Sequence, residues 1–402
     1  MLVLETALER ILAAIPPPEA EQVLVKNAHR RILAADIVAA SDLPAFDNSS
    51  MDGYAVRSAD LTGAGPESPV ALHLAGAVAA GGVFAGAVQR GQCVRVFTGS
   101  PMPPGADVVV MQEETRLAAD NRERVVFGTA AEPGEHVRRR GEDIRAGARV
   151  LAAGQEVGAG TLSVLAALNF RFVSVARRPR VALLATGSEL REAGEVLAPG
   201  QVFESNRVTL AALLVEAGAV VRVWPLVPDA RDATRAALEQ AFSDCDLVVT
   251  SGGVSVGEFD FVKAAFEDMG GRLEFWKVAM KPGKPFVLGR WREKCLFGLP
   301  GNPVSALVTS LLLVRPAVRR WQGARVLGLP VYPGLLAEAV ANRGDRRHFM
   351  RVRLDEAGRV CSAGAQASHS LGALVTANAL LDVPPDTVWP PGTSVRVLRW
   401  CT

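Results

Sequence analysis

The chain has 402 residues, with 44 Lys and Arg against 42 Asp and Glu and a formal net charge of +2. That balance argues against a dedicated nucleic-acid binder, and 49% hydrophobic with 21% charged residues excludes a disordered chain. The cysteines Cys93, Cys245, Cys295, Cys361 and Cys401 form no C-x-x-C pair, so neither a disulfide framework nor a structural zinc site is expected and a reducing compartment fits.

At the N-terminus Leu8, Ile11, Leu12 and Ile15 recur at helical spacing before Pro16-Pro17-Pro18, and Glu5 and Glu9 interrupt any signal-peptide pattern. The uncharged Gly- and Ala-rich stretch 74–88 falls short of the ~18 apolar residues of a spanning helix. A cytoplasmic protein with no membrane segment is expected. Residues 43–144 carry Gly, Pro and short β-rich runs such as Cys93 to Phe97, Asp107 to Met111 and Arg124 to Phe127. They read as a β-rich domain inserted into a helical and extended linker domain made of 1–42 and 145–176. Over 177–325, apolar runs at Val181–Ala185, Val220–Val227, Leu247–Val249, Arg272–Ala279 and Cys295–Phe297 alternate with helical patterns, and a long apolar helix follows Pro303. Such alternation predicts a mostly parallel sheet covered on both faces, an α/β sandwich. Residues 326–402 return to β patterns, with strands at Met350–Leu354 and Val395–Leu398, and read as a small C-terminal β domain.

In an open parallel sheet, ligands bind beyond the carboxyl ends of the strands. There this sequence places Thr186-Gly187-Ser188-Glu189, Ser251-Gly252-Gly253-Val254-Ser255, Lys281-Pro282-Gly283-Lys284 and Pro300-Gly301-Asn302-Pro303. One glycine loop alone is more often a plain turn. Several at one edge, with lysines and carboxylates, point to a phosphate cradle. Glu189, Asp229, Glu258 and Asp260 are hard oxygen donors whose charge would repel a phosphate unless a cation lies between them, so Mg2+ is expected. Asp229, after Pro228, also reads as a helix N-cap. Lys277, Lys281 and Lys284 supply charge for an oxyanion, and period-two alternation along 277–281 would set Lys277 and Lys281 on one face.

Neither a G-x-x-x-x-G-K-[ST] loop nor an H-E-x-x-H motif occurs. Gly253-Val254-Ser255-Val256-Gly257 matches the G-x-S-x-G nucleophile elbow, but Gly252-Gly253 separates the strand from Ser255, which disfavours a serine hydrolase. Upstream, Phe46-Asp47-Asn48-Ser49-Ser50-Met51-Asp52-Gly53-Tyr54 and Phe97-Thr98-Gly99-Ser100-Pro101 are dense in small polar residues. Arg138-Arg139-Arg140 taken alone reads as a solvated face.

The run F-D-N-S-S-M-D-G-Y-A-V, with T-G-S-P-M-P-P-G-A-D, R-R-G-E-D-I, S-G-G-V-S-V-G-E-F-D, K-P-G-K-P and G-L-P-G-N-P-V-S in that order, resembles the molybdopterin molybdenumtransferases. These are the MoeA proteins, similar to the gephyrin E domain. The resemblance implies a multidomain fold with a molybdopterin-binding α/β domain and a C-terminal β-barrel-like domain. It implies an elongated homodimer with composite active sites. The implied reaction takes adenylylated molybdopterin and molybdate, releases AMP with magnesium, and leaves molybdenum on the dithiolene. Because the substrate brings the sulfur ligands, no cysteine cluster is needed.

Carried over motif by motif, Asp52, Thr98, Asp143, Asp229 and Asp260 are the catalytic candidates, and Glu189, Asp229 and Asp260 the metal ligands. Ser251, Gly252, Gly253, Ser255, Lys277, Lys281, Lys284, Pro300, Gly301, Pro303, Arg351 and Ser368 are the substrate-binding candidates. Ser188 stands where many members carry Asp. Transient contact with the molybdopterin adenylyltransferase and with downstream cofactor-handling proteins is expected. A scaffold role like gephyrin's is disfavoured, because the chain starts directly at the transferase-like region. The Asp47–Val56 segment argues against a sibling adenylylating or pyrophosphatase enzyme.

Overall fold

The computed structural model describes residues 1–79, 81–253 and 261–401, in two compact units. One unit joins Asp36–Ala152 to Ala159–Arg171. It holds a curled sheet of β1 (Gly53–Val56), β2 (Val70–Val78), β3 (Gln92–Val96), β4 (Val108–Met111), β5 (Thr115–Leu117) and β6 (Arg124–Phe127), ordered β4-β1-β3-β2-β6-β5. The strands alternate between two cores: Val108 and Val110 face one with Val56 and Phe127, and Val109 faces the other with Ala55, Val94 and Val96. Gly53 opens β1 because the neighbouring strand passes very close. A Cβ there would lie 2.1 Å from the Val110 carbonyl oxygen.

The other unit joins Met1–Ala35 and Ala153–Gly158 to the chain from Phe172 onward. Its main sheet comprises β7 (Arg180–Ala185), β8 (Val220–Val223), β9 (Leu247–Ser251), β10 (Arg272–Trp276), β11 (Val287–Trp291) and β12 (Lys294–Leu299), in the order β8-β7-β9-β12-β11-β10. Strands β8, β7, β9 and β12 are mutually parallel, and β11 runs antiparallel to both its neighbours. Parallel strands covered on both faces need apolar side chains on both faces. Accordingly Leu183, Val249 and Phe297 enter one core while Leu184, Val248 and Leu296 enter the other.

Helix α1 (Leu4–Ala14) turns Ala7, Ile11 and Ala14 into the first of these cores, alongside α2 (Asn206–Glu216). The second core is covered by α3 (Arg231–Asp244) and α4 (Phe261–Asp268). The apolar run after Pro303 is helical to Trp321, but as α5 (Pro303–Thr309), a wide π turn at Ser310–Val314, and α6 (Arg315–Trp321). Pro316 has no N–H to donate and its ring crowds the carbonyl four residues back, which a widened turn accommodates.

Toward the C-terminus β13 (Val331–Leu336), β14 (Arg347–Leu354), β15 (Arg359–Ser362), β16 (Ala379–Val383) and β17 (Ser394–Arg399) close a five-strand barrel, through β14-β15-β13-β17-β16 and back to β14. Val352, Leu354, Leu381 and Val397 fill it. Among the described residues no helix is long and apolar enough to cross a membrane.

Candidate active site

The carboxyl ends of β7, β9 and β12 open onto a cavity of about 620 Å³. Its walls include Glu189, Asp229, Ser251, Gly252, Gly253 and the Pro300–Pro303 loop. Gly252 and Gly253 have φ of +85° and +68°, and a Cβ on Gly253 would sit 2.3 Å from Val262 Cγ2. The turn therefore admits only glycine at these two positions. Pro303 is in the first turn of α5, where its missing N–H costs no helix hydrogen bond.

Not every loop N–H is free for a ligand. Gly252 N–H donates to Leu299 O, Thr186 N–H to Ser251 O, and Gly187 N–H to Val227 O. The Gly252 amide is thus spent on holding the loop, which corrects the simple picture of a cradle lined by every glycine. Ser188 and Asp229 are tied reciprocally: Ser188 N–H donates to Asp229 Oδ2 at 2.9 Å, and Asp229 N–H to Ser188 Oγ at 3.0 Å. Asp229 does not cap α3. The N-cap is Ala230, without a side-chain cap, and the carboxylate turns to the Ser188 loop instead.

Glu204 also lines the cavity, but Arg207 neutralises it by donating its backbone N–H and Nε–H to the carboxylate. Glu189 and Asp229 are left as the carboxylates not consumed by an arginine. Among the described residues no group of three or more His, Cys, Asp or Glu could hold a metal ion. Two carboxylates in one cavity wall suit Mg2+, which keeps several waters and takes few protein ligands. Asp260 and Ser255 lie outside the described residues.

A second cavity of about 510 Å³ adjoins the first, and both are lined by Pro285 and Asn302. Lys281, Lys284 and Arg346 line it, with no carboxylate among its described lining residues. Ser368 joins that wall, and its hydroxyl accepts from Asn302 Nδ2 at 3.2 Å while its carbonyl accepts from Val304 N–H. Lys277 does not line this cavity. Strand β10 ends at Trp276, Lys277 has φ +102°, and Lys281 belongs to a two-residue strand that pairs with His348 of the barrel. The alternation expected along 277–281 is broken, and Lys277 Nζ lies 5.9 Å from the Trp276 ring.

Arg351 is fully buried rather than facing solvent. On β14 it points opposite to the barrel-filling Val352, and one guanidinium nitrogen donates to Ala365 O and Ala367 O. Its backbone and Gln366 exchange hydrogen bonds. Arg351 thus holds the loop that presents Gln366, Ala367 and Ser368 to the second cavity. Burial lowers its pKa.

In the other unit Asp52 Oδ1 accepts both the backbone N–H and the hydroxyl of Thr98, at 2.8 and 2.9 Å. These bonds, with help from Arg95, hold the Asp52 carboxyl below its ordinary pKa. Arg95 itself lies 5.0 and 5.1 Å from the Tyr54 and Phe97 ring centroids. The arginine triplet is more than a solvated face, since Arg139 pairs with Asp47 and Arg140 with Asp42. Asp143 is exposed in a shallow cavity with Arg145 and Arg149.

Family models match almost the whole chain: the MoeA N-terminal region (domain I and II) over 2–169, a probable molybdopterin binding domain over 182–320, and the MoeA C-terminal region (domain IV) over 333–400. The molybdopterin molybdenumtransferase 2 of Mycobacterium tuberculosis (strain H37Rv) is 41% identical, covering 93% of this chain and 94% of that protein. The molybdopterin molybdenumtransferase of Haemophilus influenzae is 38% identical, covering 95% and 94%. The chain belongs to the MoeA family. A solved MoeA structure from Pyrococcus horikoshii OT3 superposes with a TM-score of 0.86 at 28% identity, over 100% of each chain.

The first cavity also has a polar wall residue that its sequence context does not single out. Asn206 lies in the wall of the first cavity and donates to Ser251 Oγ at 2.8 Å and Gly301 O at 2.7 Å. The F-E-S-N-R run before α2 was the available signal, but it is neither glycine-rich nor at the end of a main-sheet strand.

Proposed function

We propose that the chain acts as a molybdopterin molybdenumtransferase, inserting molybdenum from molybdate into adenylylated molybdopterin in molybdenum cofactor biosynthesis, with release of AMP. The observation that carries this reading is the pairing of two adjoining cavities of opposite character. One is lined by Glu189 and Asp229, the other by Lys281, Lys284 and Arg346. An enzyme that holds a magnesium-bridged phosphoanhydride beside a free oxyanion needs that division.

Glu189 and Asp229, with Asp260, would hold Mg2+, which neutralises charge at the phosphates and polarises the phosphoanhydride. Ser251 and Gly253 supply donors to the phosphate, and the Pro300–Pro303 loop sets the width of the cavity. Lys281, Lys284 and Ser368 hold molybdate, and Arg351 positions the loop that carries Ser368. Asp52 and Thr98, with Asp143, act on the substrate from the β-rich unit. We place that unit in a homodimer partner, so that each site is composite. The domain division 1–42 with 145–176, 43–144, 177–325 and 326–402 belongs to the same proposal, as do a cytoplasmic location and hand-over contacts with the adenylyltransferase.

The test is incubation with adenylylated molybdopterin, molybdate and magnesium while AMP is followed by chromatography. Release that requires all three supports the reading, and release indifferent to EDTA or to molybdate contradicts it.

A further inference from the structure

Asn206 makes two hydrogen bonds whose chemistry fixes the direction of a third. The Gly301 carbonyl oxygen can only accept, so the Asn206 side-chain atom 2.7 Å from it is the amide nitrogen. The same nitrogen lies 2.8 Å from Ser251 Oγ and spends its second hydrogen there. The Ser251 hydroxyl is therefore an acceptor toward Asn206, and its own proton must point elsewhere. Among the described residues Ser251 Oγ donates to none, and Ser251 lines the first cavity. Since the Gly252 amide is already spent on Leu299 O, that hydroxyl is a donor still available in the described part of the loop.

We propose that Asn206 is a positioning residue that commits the Ser251 hydroxyl to donate into the cavity, onto an anionic oxygen of the bound phosphate. The inference rests on the reading of this cavity as the phosphate-binding half of the site. Asn206 is 9% exposed and held at both amide hydrogens, so it cannot turn to release Ser251. The carbonyl of Gly301, on the loop beside Ser251, determines which atom of Asn206 faces the serine. A ligand oxygen then meets a hydroxyl already polarised and aimed, with no competing rotamer to abandon.

The experiment is a double-mutant cycle on binding of adenylylated molybdopterin, with molybdate omitted so that no turnover occurs. Asn206→Leu, of similar shape, and Ser251→Ala should each weaken binding about tenfold or more, as for loss of a hydrogen bond to a charged group. The double variant should bind like Ser251→Ala to within about twofold, because Asn206 has nothing to orient once the hydroxyl is gone. Should Asn206→Leu not fold, Asn206→Asp takes its place. Its carboxylate draws the Ser251 proton onto itself, and it should raise the Kd for adenylylated molybdopterin at least as far as Ser251→Ala does. Losses that multiply in the double variant, or single variants that bind as tightly as wild type, overturn this inference and leave the cavity reading standing. No binding by the wild-type protein overturns both.

Discussion

Ser188 and Asp229 exchange backbone-to-side-chain hydrogen bonds in both directions, at 2.9 and 3.0 Å. The pair clips the loop after β7 to the segment before α3, and it points one Asp229 oxygen at the Ser188 amide. Ser188→Ala removes the acceptor for the Asp229 N–H and should cost about 0.5–1.5 kcal/mol of stability in urea unfolding. Ser188→Asp keeps an acceptor oxygen there and adds a carboxylate beside Glu189, so it should lower the magnesium concentration giving half-maximal AMP release. An unchanged magnesium dependence in Ser188→Asp would place the cation away from this loop.

Asp229→Asn preserves an acceptor for Ser188 but removes the charge proposed to meet the cation. Its melting temperature should stay within a few degrees of wild type, while turnover at saturating substrate falls at least about a hundredfold, the scale of losing one preorganised electrostatic contact. Equal losses of stability and turnover would make Asp229 structural.

Lys281 and Lys284 are exposed cations on the second cavity. Lys281→Ala should raise the molybdate concentration needed for AMP release about ten- to a hundredfold and leave binding of adenylylated molybdopterin little changed. Lys277→Ala should have the smaller effect, because Lys277 does not line that cavity. The reverse ranking would reassign the oxyanion site.

His348 is buried on β14, its Nε2 without a hydrogen-bond partner among the described residues, and its pKa falls to about 4. Burial is the main cause, followed by the charges of Lys281, Arg351 and Arg346. A folded pKa below the unfolded value of about 6.5 means that the unfolded chain binds the proton more readily. Stability from this group is therefore full above about pH 6.5 and is lost as pH falls toward 4, by roughly 3 kcal/mol in all. Melting temperature should decline across that window in wild type and decline less in His348→Leu. Parallel curves for the two proteins would show that His348 does not set the slope.

The α/β domain and the gathering of its loops were legible in the sequence because both arise from simple periodicities. Short apolar runs such as Leu247–Val249, alternating with helical patterns, fit strands covered on both faces, and the loops leaving the carboxyl ends of parallel strands share one edge. Glu189, Asp229 and the Pro300–Pro303 loop were found on that basis. Features that depend on packing between distant segments were not legible. Nothing local to Leu4–Ala14 says that its apolar stripe completes the α/β core, and nothing local to Arg351 says that it is buried. Asn206 escaped for the same reason, since its role exists only where α2 meets two loops from other parts of the chain. The Lys277–Lys281 spacing misled because the strand ends at Trp276 and Lys277 itself has positive φ, so no alternation runs from one lysine to the other.

If the sites are composite, two inactive chains can repair each other. Asp52→Ala and Asp229→Ala chains, each inactive alone, should regain up to about a quarter of wild-type activity when mixed and allowed to exchange subunits, since half the dimers become mixed and each has one intact cleft. Absence of rescue after exchange is demonstrated would assign each site to a single chain.

The central claim is that one protein couples phosphoanhydride cleavage to molybdenum insertion across two adjoining cavities. The most direct measurement tracks AMP and dithiolene-bound molybdenum in the same reaction, with molybdate titrated at saturating magnesium and adenylylated molybdopterin. The account predicts one AMP released per molybdenum inserted at every molybdate concentration, with Lys281→Ala shifting both curves together. AMP released without molybdenum gained, or molybdenum inserted while the adenylyl group stays attached, would contradict it.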